Sequence, residues 1–142
     1  MIIRENESRE EYVMSVARAM MTAARTAPKG CGADHLDIAA LGLSRLTRLA
    51  HKMREIGERD GKAFFLRDAE GVAHSQAVVL IGCRHEVRGL NCALCGYPTC
   101  REKRESAPSV PCVFDVTDLG IAVGSAVAVA ADCRVDNRIL YS

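Results

Sequence analysis

Four cysteines fall within residues 89–112, GLNCALCGYPTCREKRESAPSVPC: Cys92, Cys95, Cys100 and Cys112, spaced C-x2-C-x4-C-x11-C. No other feature constrains the fold as strongly, because four thiols that act together must be brought to one place. Thiolates are soft donors that favour iron–sulfur clusters, zinc or Cu(I). A structural zinc site usually takes two well-separated C-x2-C knuckles that close a tetrahedron around one ion. Here three cysteines crowd into nine residues and the fourth arrives later. That pattern suits a cluster, in which a tight loop wraps three corners of a cubane and a remote cysteine takes the last iron. Gly96, directly after the second cysteine, lets the backbone turn sharply and come close to an inorganic sulfide. Backbone N–H groups aimed at the sulfurs would stabilise the reduced form and tune its potential. Pro111 fixes the chain just before Cys112. The residues therefore point to a [4Fe–4S] cluster, with a structural zinc and free or redox-active thiols as the alternatives.

Length and composition bound the rest. The 142 residues fit a single domain, 1–142, with 89–112 as the cluster-binding segment inside it. A net charge of +1 creates no global field, so neither nucleic acid nor an anionic membrane is expected as a partner. Aromatics make up 4% with no Trp, so the core must rest on Val, Leu, Ile, Met and Ala, and stacking of bases is not expected. The N-terminal MIIRENESREE is charged and carries no apolar signal region. The longest apolar run, Leu119–Ala131, is short of the roughly 18 residues that span a bilayer, and it reads as a buried core helix. A cytoplasmic protein is expected. Seven cysteines in a reducing compartment argue for metal or redox chemistry over disulfides, with four as ligands and three as bystanders.

Along the chain, Ser8 and Glu11 form a capping-box pattern, which predicts a helix from about Ser8 to Arg25, stopped by Pro28 and Gly30. Leu36–Leu41 reads as a short strand. A second helix opens at Ser44 with Leu46, Leu49, Met53 and Ile56 on its inner face. Ala63–Leu66 and Ala77–Ile81 read as strands, the latter apolar throughout and central, with Arg67–Gly71 as a turn between them. Residues 83–111 read as loop with one short helix near Arg101–Ser106. Val113–Val116 reads as a strand, followed by a third long helix capped by Thr117 or Asp118. The expected class is α+β, with α/β as the alternative: a central sheet, three main helices and a cysteine-rich loop.

At these residues family resemblances enter. The run NCALCGYPTC (91–100) resembles the four-cysteine [4Fe–4S] domain of corrinoid iron–sulfur proteins and ferredoxin-like subunits of redox complexes. More broadly, ARTAPKG (24–30), FFLRDAEGV (64–72), VVLIG (78–82), GLNCALCGYPTC (89–100), PCVFDVTDLGIAVGSAV (111–127) and VDNRILYS (135–142) resemble an uncharacterised family of ferredoxin-domain-containing proteins. The resemblance implies cluster ligation by Cys92, Cys95, Cys100 and Cys112 and supplies no reaction. It also implies a further C-terminal segment, Gly- and Pro-containing, that is expected to be missing from this chain. More faintly, the helix–TAPK loop–helix beginning and the small-residue helix 118–131 resemble the flavin-dependent nitroreductase fold. That likeness implies FMN-phosphate contacts from Arg25, Thr26 and Lys29; the alternative is that Arg25 and Lys29 simply favour the negative end of the first helix.

The remaining chemistry-bearing residues read as structural. Cys31, between Gly30 and Gly32 and close to Lys29, reads as an incidental loop residue, with a low-pKa thiol as the alternative; Cys83 and Cys133 read as small buried hydrophobes, with Cys83 near enough to stand in as a ligand. His35, His51, His74 and His85 show no metal-binding pairing. Gly120 and Gly124 permit close helix packing, and Asp115 with Asp118 reads as helix capping. Arg101–Glu105 forms a mixed-charge rim that either steers a redox partner or is a solvated helix face. No catalytic acid, base or nucleophile is identifiable. The expected function is single-electron transfer with an unknown redox protein partner, within or beside a flavin oxidoreductase. The alternatives are a non-enzymatic module with a structural cluster or zinc, and a subunit whose open edge is completed by its own copy, a homo-oligomer, or by another chain.

Overall fold

Residues 2–141 are described by a computed structural model. They form an α+β fold in which helices α1 (Glu5–Thr26), α2 (Leu43–Arg59), α3 (Ala63–Ala73), α4 (Cys100–Ser106) and α5 (Val113–Asp132) surround strands β1 (Leu36–Gly42) and β2 (Ala77–Cys83). The two strands pair antiparallel, from Leu36 opposite Cys83 to Gly42 opposite Ala77. The α2–α3 hairpin is inserted between them in sequence. A single turn of 3-10 helix, Gly30–Gly32, links α1 to β1.

The apolar residues divide between two clusters. Ala24, Ala27, Leu36, Ala122 and Ala126 form one, where α1 packs along α5 against the strands, with Met20, Ile38, Ile81 and Leu119 at its margin. Leu46, Ala50, Met53, Ala69 and Val72 form the other, between α2 and α3, joined by Leu41, Val78 and Leu140. The first is built on alanine, and small side chains let the helix backbones approach closely. Beyond α5 the chain returns over the surface. Arg134 takes a left-handed φ of 57° while the Val135 N–H reaches the Ala130 carbonyl at 2.9 Å, a helix stop usually made with glycine. The Tyr12 hydroxyl donates to the Cys133 carbonyl at 3.0 Å, and Tyr141 meets Phe64 with ring centroids 6.1 Å apart.

Several local expectations are corrected. α1 begins three residues earlier than the capping box implies, at Glu5 after Arg4; the Ser8 hydroxyl lies inside the helix and donates to the Glu5 carbonyl. Glu5 and Glu7 instead favour the positive end of the helix. Ala63–Leu66 is the first turn of α3 and not a strand, and Arg67–Gly71 continues that helix and is not a turn. A four-residue apolar run does not distinguish the two states. The helical spacing of Phe65, Ala69 and Val72 against α2 decides it. Likewise Val113–Val116 opens α5 and is not a strand, and the helix is capped at Cys112, ahead of Thr117 and Asp118. Among the described residues β2 is one of two strands, so it is not central, and Leu80 is left 44% exposed.

α5 is not buried all round. Its buried residues, Asp115, Asp118, Ala122, Ala126 and Ala130, make a single stripe. By length and mean hydropathy, 1.7, it is the one helix among the described residues long and apolar enough to cross a bilayer; 28% of that window is buried within the fold. Because the stripe is filled by alanine, Ala122→Leu should overpack the α1–α5 contact and cost about 1–3 kcal/mol. Urea unfolding midpoints measure this, and an unchanged midpoint would show that the two helices are not closely packed.

Candidate metal centre

The segment 84–99 has no regular helix or strand, and its shape comes from left-handed residues and a few polar bonds. Gly89, Asn91, Ala93 and Gly96 all have positive φ, at 74°, 49°, 58° and 86°. Alternation of left- and right-handed residues turns successive backbone N–H groups toward one side, a form that suits anionic groups. The Gly96 N–H closes a turn onto the Ala93 carbonyl at 2.9 Å, between Cys92 and Cys95. A Cβ on Gly96 would meet nothing within 4 Å, so glycine is needed there for its backbone angle and not for space. Asn91 ties the loop to α4 twice: its side-chain oxygen accepts from the Cys100 N–H at 2.9 Å, and its own N–H donates to the Cys100 sulfur at 3.4 Å.

The four cysteines reach one place from three elements. Cys92 and Cys95 come from the loop, Cys100 is the first residue of α4 behind the Thr99 cap, and Cys112 is the N-cap of α5. All four line a single pocket, together with Arg88 and Lys103. Their exposure is graded: Cys112 is buried, Cys95 and Cys100 are half-buried, and Cys92 is exposed. Cys112 stands at the N-terminus of a 20-residue helix. Among the described residues no three His, Cys, Asp or Glu side chains gather closely enough to hold one metal ion. The sulfurs share the walls of a pocket and do not close on a point.

Beneath the pocket lies a buried ionic network. The Arg88 side chain is 2% exposed and its Nη2 lies 2.6 Å from Asp118 and 3.1 Å from Asp115. Asp118 also accepts from the Gly30 N–H at 2.9 Å, and Asp115 from the Glu86 N–H at 3.2 Å. His35 Nδ1 lies 3.0 Å from Asp115, its other nitrogen 3.4 Å from Glu86, and the Arg88 guanidinium contacts its ring. Among the described residues Arg88 Nε is buried without an acceptor, and Lys103 is 1% exposed. Both belong to residues lining the cysteine pocket. Four soft donors with buried, unanswered cationic N–H groups beside them fit an anionic metal–sulfur group.

The other residues singled out in the sequence lie elsewhere. Cys83 packs against the α1–α5 cluster and does not line the pocket. Burial, and then the nearby Asp115 carboxylate, push its thiol above the usual cysteine range. Arg25, Thr26 and Lys29 lie at and just beyond the end of α1, and each is bonded to the chain itself. Arg25 pairs with Asp34 at 2.7 Å and with the Leu36 carbonyl at 3.0 Å, and Thr26 bonds the Thr22 carbonyl at 3.0 Å. The Lys29 ammonium reaches the carbonyls of Ala24, Arg25 and Ala27.

Sequence reasoning passed over the part played by four residues. Asp115 and Asp118 are more than caps: they sit on the same stripe as Ala122 and Ala126, and that spacing alone marks them as buried carboxylates in need of a cation. Arg88 is that cation, and nothing in its own neighbourhood announces it. Lys103 is not on a solvated face; its position three residues after Cys100 on a helix places it on the cysteine side. Arg88→Met should leave two buried carboxylates without a buried cation and cost about 3–5 kcal/mol. A denaturant midpoint within error of the parent would show that the network contributes nothing to stability. Alkylation at mildly alkaline pH should label Cys92 well before Cys83; equal rates would contradict the burial of Cys83.

A family described as "Uncharacterized protein containing a ferredoxin domain (DUF2148)" matches residues 108–142, which include Cys112 and all of α5. An uncharacterized protein of Archaeoglobus fulgidus is 40% identical over 148 residues, an alignment that takes in 99% of this chain and 80% of that protein. No solved structure matches. The chain belongs to this family of proteins containing a ferredoxin domain.

Proposed function

We propose that the chain holds a [4Fe–4S] cluster through Cys92, Cys95, Cys100 and Cys112 and carries single electrons to and from a redox protein partner in the cytoplasm. The observation that carries this reading is the shared pocket: four thiols from three elements line it beside two buried cationic side chains with unanswered N–H groups. A lone zinc would need four sulfurs at about 2.3 Å from one centre. Donors spread around pocket walls are better suited to a larger cage, and the ferredoxin domain that names the family points the same way.

When bound, such a cluster supplies reversible one-electron storage. The chain's own residues do the rest. Cys112 presents its sulfur at the positive end of α5, Asn91 positions Cys100, and Gly96 allows the turn that brings Cys95 round. Cys92 is exposed, next to Leu94, which is 67% exposed. That corner is the proposed contact with the partner. A flavin-linked oxidoreductase is a natural setting for such a carrier, although Arg25, Thr26 and Lys29 are bonded to the chain's own carbonyls and Asp34.

Anaerobically purified protein should contain about four irons and four sulfides per chain and develop a paramagnetic signal on treatment with dithionite. One zinc with no visible absorption would overturn the proposal, and a cluster that resists reduction would favour a purely structural module. Cys95→Ser should lose the cluster while Cys133→Ser keeps it. Retention by the Cys95 variant would mean that the ligands are assigned wrongly.

A further inference from the structure

We infer that Lys103 is the built-in counter-charge of the cluster, a buried ammonium that favours the reduced form and so raises the reduction potential. The inference rests on the cluster reading above and adds a role that no ligand performs.

Lysine is almost never fully buried unless it is paired, yet Lys103 retains 1% exposure. Its backbone is ordinary helix, with its N–H bonded to the Thr99 carbonyl and its carbonyl accepting from Ala107, so no local strain forces the side chain inward. At 1% exposure the residue leaves almost none of its head group to water. Among the described residues the ammonium makes no hydrogen bond and no ion pair. Lys29 shows the usual alternative: near the end of α1 its ammonium bonds three free carbonyls at 2.7–3.1 Å. Lys103 lies in the last turn of α4 and does not do this.

The nearby carboxylates are already answered. Asp115 and Asp118 are held by Arg88, and Glu86 by His35 at 3.4 Å and Arg84 at 3.5 Å. The groups that remain beside Lys103 in the pocket are the four cysteines, with Cys100 one turn earlier on the same helix. A buried charge without a partner is strongly unfavourable, so this position calls for an anion that the polypeptide does not supply. A cluster held by four thiolates is such an anion. On reduction it takes one electron from an external donor and gains one negative charge; no proton moves and no bond to Lys103 forms. The fixed positive charge therefore attracts the reduced state more strongly than the oxidised one. Arg88 Nε, also buried and without an acceptor, faces the same demand.

Lys103 also borders a second, open pocket lined by His85, Glu86 and Arg104, so a small solvent anion is the competing partner. The test uses the full chain as wild type, Lys103→Met, Lys103→Gln and Arg104→Gln, each reconstituted anaerobically and titrated by dye-mediated EPR. Both Lys103 variants should lower the midpoint by at least the equivalent of a tenfold change in the reduction equilibrium, about 59 mV for one electron. Arg104→Gln, which removes an exposed and screened charge, should shift it less. In the metal-free protein Lys103→Met should melt at a higher temperature than wild type, because an unpaired buried charge has been removed. An unchanged midpoint in the Lys103 variants overturns the inference while leaving the cluster reading intact, and so does a lower melting temperature for metal-free Lys103→Met. Stabilisation of the metal-free wild type, but not of Lys103→Met, by inorganic phosphate overturns it too, in favour of a solvent anion. Wild type that takes up no iron or sulfide overturns the cluster reading itself.

Discussion

The segment bearing Cys92 and Cys95 has no ladder of its own, and one buried arginine fastens it to the rest of the fold. Arg88 reaches from that segment to Asp115 and Asp118 on the inner stripe of α5. Cys112 opens the same helix. The pairing therefore fixes the distance between the early cysteines and the late one, which lies twelve residues beyond the third. Asp118 extends the tie to Gly30 and Asp115 extends it to Glu86, so the link after α1 and the exit from β2 are secured to the same point. A buried ion pair is a poor source of net stability. Here it gives register to a segment that hydrophobic packing does not reach.

Cation supply follows a clear division. Arg88 gives one edge of its guanidinium to carboxylates and leaves Nε without an acceptor, whereas Lys103 has no side-chain partner among the described residues. The carboxylate partners of Arg88 both come from α5, the helix that Cys112 opens. In the proposed centre, ligation and charge balance would therefore fall to neighbouring turns of α5, over Cys112, Asp115 and Asp118.

The parts of this arrangement legible in the sequence are those with a local signature. The cysteine spacing, the left-handed need at Gly96, β1, α2 and the short helix at Arg101–Ser106 all announce themselves through nearest neighbours. Ala63–Leu66 and Val113–Val116 were illegible for a physical reason: so short a run satisfies a strand and a helix equally, and what decides is a tertiary contact, packing on α2 for the first and, for the second, the pairing of Asp115 with Arg88. Arg88 is harder still, since a single arginine in a loop carries no trace of the two carboxylates it meets 27 and 30 residues later. Lys103 was hidden by its company, because Arg101, Glu102, Arg104 and Glu105 around it are all exposed.

The graded burial of the sulfurs has a consequence for how such a centre fails. With Cys112 buried at the start of α5 and Cys92 exposed, dioxygen and peroxide would share one approach with any reductant of a cluster held there. Damage would start at that outer corner and strip the first iron there, while the inner thiol kept its grip longest. A site able to trade electrons quickly through an open door is for the same reason a site that air can enter.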